Sequence, residues 1–313
     1  MATYKEIKGT NVQSFSSDPA NPINGQVWYN TTSSTLKVAE VTLTSSWATG
    51  GSLSGGARYN PVGAGTQTAA IAMGGSPGGP SSAVEEYNGS SWTAGTNLPT
   101  GKNAIAGAGI QTSSILFGSG SSLEWNGSAW TAGGNLATSA YYNGGAGTQT
   151  AALNFGGLVP GGVSNTTEEY NGTSWTGGGN MGTARRNMGT AGTQTAGLGF
   201  GGFPGSGYSN ATEEYNGTAW TGGGNLNYPL ALSGGCGTQT AALKIGGNPD
   251  QSARCELYDG SSWTNTANLN DARGQMASAG TQAAGLAAGG NPATTDTEEF
   301  IAAGSTITTV TTS

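Results

Sequence analysis

No histidine occurs among the 313 residues. That removes Ser–His and Cys–His nucleophile pairs, imidazole general bases, and zinc or copper sites built on His. Cysteine is almost absent, with only Cys236 and Cys255. Charge is scarce as well: 9% of residues are Asp, Glu, Lys or Arg, and the formal balance is −7. An acidic chain without a Lys/Arg-rich run offers no electrostatic footprint for phosphate, so nucleic acid is not expected as a partner. No apolar run approaches the roughly 18 residues needed to cross a bilayer. The opening "MATYKEIKGTNVQSF" lacks the apolar core of a secretory signal, so neither membrane insertion nor signal-directed export is expected.

What is abundant is glycine, at 58 residues, with Ser, Thr and Asn filling much of the remainder. There is no Gly-X-Y period, and the low charge is unlike an ordinary disordered tail. Many tight turns between short strands is the reading that fits. The length allows one large or two ordinary domains with a real core.

Self-similarity organises the chain. "GTQT" or a close variant begins at Gly65, Gly109, Gly147, Gly192, Gly237 and Gly280, and a Trp recurs in step at Trp47, Trp92, Trp130, Trp175, Trp220 and Trp263. In the copy from Gly201 to Gly247, "ALSGGCG" and "AALKIGG" flank a "TQT" turn, and "ATEEY" and "AWT" flank "NG". Asn-Gly between strand-like runs predicts a type I′ hairpin. Four short strands per copy of about 45 residues is the arithmetic of a propeller blade.

The pattern resembles the kelch repeat, in which an apolar strand ends in a Gly pair, a Tyr follows, and a Trp closes the unit. "LGFGG" with Tyr215 and Trp220, "LNFGG" with Tyr170 and Trp175, and "LKIGG" with Tyr258 and Trp263 all fit. The second copy departs, with "LFGSG" for the Gly pair and Trp125 in the Tyr slot. The resemblance covers about residues 42 to 301. It implies an all-β, six-bladed β-propeller of four-stranded blades, and no single function.

The array opens in mid-unit at the Trp47 strand and stops in mid-unit at "TEEFIAAG", with Phe300 in the Tyr slot. The two halves are expected to share one blade and hold the ring shut, so that truncation after about residue 274 would open it. The tail, residues 302–313, contains the strand-like "GSTITTVTTS" from Gly304 onward and is the alternative occupant of that outer place. Within one blade Cys236 and Cys255 fall on non-neighbouring strands, roughly 9 to 10 Å apart. A disulfide wants Cα atoms within about 7 Å, so both are expected as free, buried thiols.

Glu85 and Glu86, Glu168 and Glu169, Glu213 and Glu214, and Glu298 and Glu299 could suggest glycoside hydrolysis. The same pair in nearly every copy, with neighbours on a strand facing opposite ways, points instead to structure. The repeated Trp reads as packing between blades. The glycosylation-like Asn88, Asn171 and Asn216 read as hairpin residues, since Asp259 fills the same slot. The Asp box of sialidase-type propellers has a residue between its Asp and Gly, whereas the Asn and Gly of "YNGTSW" are adjacent, and galactose-oxidase-type propellers need His ligands. No catalytic residue, metal or cofactor is therefore expected.

The first and third turns of each blade are nearly constant, whereas the second turns and the links after each Trp vary. The variable set is expected to ring one face with Arg58, Tyr59, Lys102, Tyr141, Tyr142, Arg185, Arg186, Phe203, Tyr208, Tyr228 and Arg273, a surface suited to a glycan or protein ligand. Residues 1–41 form a separate segment with a hairpin of "QVWYN" and "TLKV". They are similar to the N-terminal segments of bacteriophage tail-fibre and virion proteins that begin "MATYKEI". That resemblance implies a virion structural protein, made in the host cytoplasm. Residues 1–41 would attach it to other virion proteins, it would form a homo-oligomer, and its variable face would bind a host-surface glycan. A decoration protein without receptor contact and a carbohydrate-active enzyme are the alternatives.

Overall fold

The computed structural model describes residues 12–20, 26–42, 44–249 and 251–309; the opening "MATYKEI" lies outside them. The described residues are all β, with no helix, and fall into two compact units: 46–301, and 1–45 together with 302–313.

The larger unit holds six four-stranded antiparallel sheets. Sheets I to V occupy residues 62–94, 106–132, 144–177, 189–222 and 234–265, each with its four strands in chain order. Sheet VI takes three strands from 277–301, and its fourth is Ser46–Thr49, with Trp47 opposite Phe300. The tail strand Gly304–Thr309 does not compete for that place, because it pairs with Thr35–Thr42. The division between units accordingly falls at residue 45, and the tail belongs with the N-terminal segment.

The first strand of each sheet lies against the first strand of the next, and Ala277–Gly280 of sheet VI lies against Val62–Thr66 of sheet I. This crowding accounts for much of the glycine. A Cβ on Gly63 would stand 2.4 Å from the carbonyl oxygen of Ser278, closer than real side chains come. Gly65, at φ +103°, occupies the left-handed region that side chains disfavour.

Burial follows strand order. Second strands are buried along their length, as in Ala152–Phe155, apart from the half-buried leading residues Ala69, Ser113 and Ala241, whereas only the Trp of the fourth strand Trp175–Gly177 is covered. The core lies between sheets, each apolar cluster drawing on two neighbours. One joins Ile71, Met73 and Val84 of sheet I to Leu116 and Trp125 of sheet II. Another joins Tyr87 and Trp92 of sheet I to Leu286 and Ala288 of sheet VI.

The repeated Trp packs on the Tyr of its own hairpin, with Tyr258 and Trp263 ring centres 4.8 Å apart. Its indole N–H then reaches the preceding sheet: Trp92 donates to Thr297 Oγ1, Trp220 to Thr167 Oγ1 and Trp263 to Thr212 Oγ1, all at 2.9 to 3.0 Å. Trp175 finds no such partner, because Ser122 stands in the Thr place and turns its hydroxyl to Gly134 O.

The "GTQT" motif has the same task. Gln194 Nε2 donates to the carbonyls of Ala152 and Tyr170 in sheet III, Gln239 to Gly197 and Tyr215 in sheet IV, and Gln282 to Ala242 and Tyr258 in sheet V. Gln67 of sheet I donates to Gly285 O at 3.0 Å and Phe300 O at 2.7 Å in sheet VI.

The Asn-Gly turns are not the two-residue type I′ loops that the sequence predicts. Tyr170 pairs with Trp175, leaving four residues between them, and in that loop only Gly172 has positive φ, at +88°. The Asn171 side chain makes up the difference: its Oδ1 accepts from the Thr173 and Ser174 N–H groups at 3.0 and 2.9 Å. Asp259 accepts in the same way from Ser261 and Ser262, so a carboxylate replaces the amide there without loss. Cys236 and Cys255 sit on the first and third strands of sheet V as free buried thiols. Burial pushes the Cys236 thiol up to about 12.

In the smaller unit Val27–Asn30 and Thr35–Thr42 form the antiparallel hairpin, and Gln13–Phe15 adds in parallel. Its anchor is Asp18, whose Oδ1 accepts from Asn30 Nδ2 and from the indole of the buried Trp28. These two hydrogen bonds, Asn30 first, hold the Asp18 carboxyl below its usual range.

Candidate functional site

The links and second turns do share one face. Seven antiparallel bridges join them, Ser81 to Lys102 and Ser209 to Leu230 and five more at one repeated place: Tyr59 to Ser76, Tyr141 to Leu158, Arg186 to Phe203, Ala231 to Asn248 and Gly274 to Asn291. Immediately after the link residue of each of those five the chain enters a left-handed turn, at Asn60, Tyr142, Asn187, Leu232 and Gln275, and Ala104 does the same in the remaining link. Six non-glycine residues with positive φ at one repeated place indicate strain held by surrounding structure. Hydrogen bonds supply the restraint, running from link to link: Asn60 N to Gln275 O, Gln275 N to Leu232 O, Leu232 N to Asn187 O, Asn187 N to Tyr142 O and Tyr142 N to Ala104 O, at 2.7 to 2.9 Å. They surround a cavity of about 110 Å³.

Two residues earlier in each link stand Arg58, Lys102, Ala140, Arg185, Leu230 and Arg273. The three arginines expected on the surface are instead buried, at 2%, 0% and 1% exposure. Each pairs at 2.8 Å with the first Glu of its sheet: Arg58 with Glu85, Arg185 with Glu213 and Arg273 with Glu298. Arg185 also donates to Gly201 O and Ala211 O. Burial lowers the pKa of Arg58 and Arg185, and the facing carboxylate opposes that fall. These arginines lie beneath the face and hold its links, so their assignment as ligand contacts is corrected.

The first Glu completes this support. Glu213 accepts from Gly182 N and Thr183 N, and Glu168, which faces Ala140 rather than a cation, accepts from Ala137 N and Thr138 N. Leu230 replaces the arginine before sheet V, where Lys244 of the second strand approaches Glu256 at 3.9 Å. The second Glu points the other way. Glu299, Glu169 and Glu214 accept from the hydroxyls of Tyr87, Tyr215 and Tyr258 in the following sheet at 2.5 to 2.6 Å, and Glu124 accepts from Tyr170. Desolvation, then the carboxylate contact, pushes Tyr87, Tyr215 and Tyr258 up to about 12. The two carboxylates of a pair thus serve opposite neighbours and do not converge.

The remaining expected residues divide into groups. Tyr142, Arg186, Phe203 and Tyr208 come together around a cavity of about 290 Å³. The Arg186 guanidinium carbon lies 5.0 Å from the Phe203 ring centre and 5.8 Å from that of Tyr142, within cation–π range. Tyr208 stands nearly perpendicular to Phe203 and is 42% exposed. Comparison with models of protein families and with curated proteins finds no match.

Tyr228 belongs to a second cavity of about 230 Å³, where the guanidinium of Arg254 lies 4.5 Å from its ring centre. Arg254 was not singled out from the sequence, and its place in a second turn beside a link Tyr is the signal that would have found it. Tyr59 and Lys102 are half-buried and lie in other links, Lys102 donating to Ser121 Oγ at 3.4 Å; Tyr141 is exposed. The first strands of all six sheets line a further cavity of about 250 Å³, walled mainly by Gly and Ala. Among the described residues no group of three His, Cys, Asp or Glu could hold a metal ion.

Proposed function

We propose that residues 46–301 form a closed, six-bladed, kelch-like β-propeller that serves as the receptor-binding module of a bacteriophage particle. The N-terminal unit attaches it to other virion proteins, and the link-bearing face binds a host-surface glycan. Closure is supported by the contact of the first strands of sheets VI and I, by Gln67 reaching sheet VI, and by the Asn60 to Gln275 hydrogen bond.

The single observation that carries the binding role is the cluster of Tyr142, Arg186, Phe203 and Tyr208 around one cavity. Aromatic rings beside an arginine offer a stacking surface and directional donors, the combination that recognises sugars and polar ligands. Such a face rests on a rigid support of buried ion pairs and repeated turns, as binding loops on a scaffold do. Several copies on one particle would convert weak single contacts into firm attachment.

Labelled antibody in electron microscopy locates the protein on the particle, and adsorption of purified protein to host cells reads its activity. The expected result is label at the tail and an adsorption loss in Tyr142→Ala, Arg186→Gln and Tyr208→Ala. Label on the particle with unchanged adsorption would favour decoration, and absence of label would remove the virion role.

A further inference from the structure

Of the seven cations in the larger unit, Arg58, Arg185, Lys244 and Arg273 are buried in ion pairs. Lys102, Arg186 and Arg254 remain without a carboxylate partner among the described residues. Two of these three stand on either side of one link. Ala231 and Leu232 of that link border the Arg186 cavity, and Tyr228, Pro229 and Leu230 border the Arg254 cavity. No described carboxylate lines either cavity. In a chain of net charge −7, two adjacent unneutralised guanidinium groups are a local exception.

Each guanidinium is seated against aromatic rings, which restrict it while leaving donors unused. The Nε of Arg186 is buried and makes no hydrogen bond, so its two terminal nitrogens are the donors that a ligand can meet. The planar fork of a guanidinium matches a carboxylate bidentately. Tyr208 and Tyr228, 42% and 43% exposed, stand beside the two forks as open ring surfaces. A pyranose ring carrying a carboxylate satisfies both requirements at once. An acidic peptide would use the cations but has no need of the rings. A cavity of about 290 Å³ lies at the small end of the roughly 300–1,000 Å³ typical of ligand sites, the scale of single sugar residues.

We propose that the two cavities are consecutive subsites for an acidic polysaccharide of the polyuronate class. The Arg186 and Arg254 guanidinium groups bind successive carboxylates, and Tyr208 and Tyr228 contact the sugar rings. This rests on the glycan-binding reading above and names its ligand class.

The test is calorimetric titration of the full chain with polygalacturonate, its carboxyl-reduced neutral counterpart, and polyglutamate. Polygalacturonate should bind at low salt and weaken as salt rises. Carboxyl reduction should cost at least about tenfold, as should Arg186→Gln or Arg254→Gln, each removing a charge-assisted contact. Arg186→Lys should not restore affinity, because the point charge lacks the fork. Tyr208→Ala, at an exposed site, should weaken binding while the unfolding midpoint stays unchanged.

Equal binding of the reduced polymer, tighter binding of polyglutamate, or full affinity in both arginine variants would overturn the inference. If polygalacturonate fails to bind while host-cell adsorption persists and depends on Tyr208, the acidic ligand class is wrong and the glycan reading stands. If neither saccharide nor cells are bound, both are wrong.

Discussion

Arg185 and Arg186 are adjacent in sequence and do opposite work. Arg185 is fully buried against Glu213, and Glu213→Gln would strand its charge, at a cost of about 3–5 kcal/mol in urea unfolding. Arg186→Gln touches no ion pair and should change stability by less than about 1 kcal/mol, so the two variants separate support from contact. The tyrosine hydroxyls facing Glu299, Glu169 and Glu214 carry a pH signature. Their folded pKa near 12 lies above the ordinary value of 10. Their contribution is therefore complete below pH 10 and is lost as pH rises through 12, where the unfolded chain has already released its protons. Ultraviolet titration should show these three tyrosines ionising near pH 12 rather than at the ordinary value of 10. Ionisation of Tyr87, Tyr215 and Tyr258 at the ordinary value would contradict the buried contacts.

The repeated strands were legible because Gly pairs, Tyr and Trp recur at fixed offsets, and each offset has a local cause in turn or strand geometry. Apart from the Trp packing, the side-chain contacts that tie links and sheets together were not legible, because they link positions far apart in the chain. Arg185 meets a carboxylate 28 residues away, and Tyr215 meets one 46 residues away. Some signal was nonetheless present: Phe300, which has no hydroxyl to donate, follows the sheet in which Leu257 replaces the second Glu. The Asn-Gly loops were misread because a side-chain acceptor, rather than a second left-handed residue, closes them. Gln67 tests the inter-sheet clasp. Gln67→Leu removes two donors and leaves the Gly285 and Phe300 carbonyls unmet, so a loss of about 2–3 kcal/mol is expected, read by thermal or urea unfolding. A loss no larger than that of an exposed Thr68→Ala control would show that the clasp carries nothing.

Sheet VI is assembled from the two ends of the larger unit, Ser46–Thr49 and 277–301. A chain ending at residue 274 lacks three of its four strands and leaves apolar surface of sheets I and V uncovered. It should lose cooperative unfolding and aggregate; a sharp transition in that truncation would contradict a closed ring. The two rims then differ in kind. One carries the Asn-centred loops that recur with little change, and the other carries links and second turns that differ in every sheet. The most direct measurement is a glycan-binding comparison of the parent chain with a link-face variant, Tyr142→Ala with Arg186→Gln, and an opposite-rim variant, Thr173→Ala with Thr218→Ala. Recognition by the variable rim predicts parental binding in the opposite-rim variant and a loss of at least about tenfold in the link-face variant. Equal binding by all three, with folding intact, would contradict it.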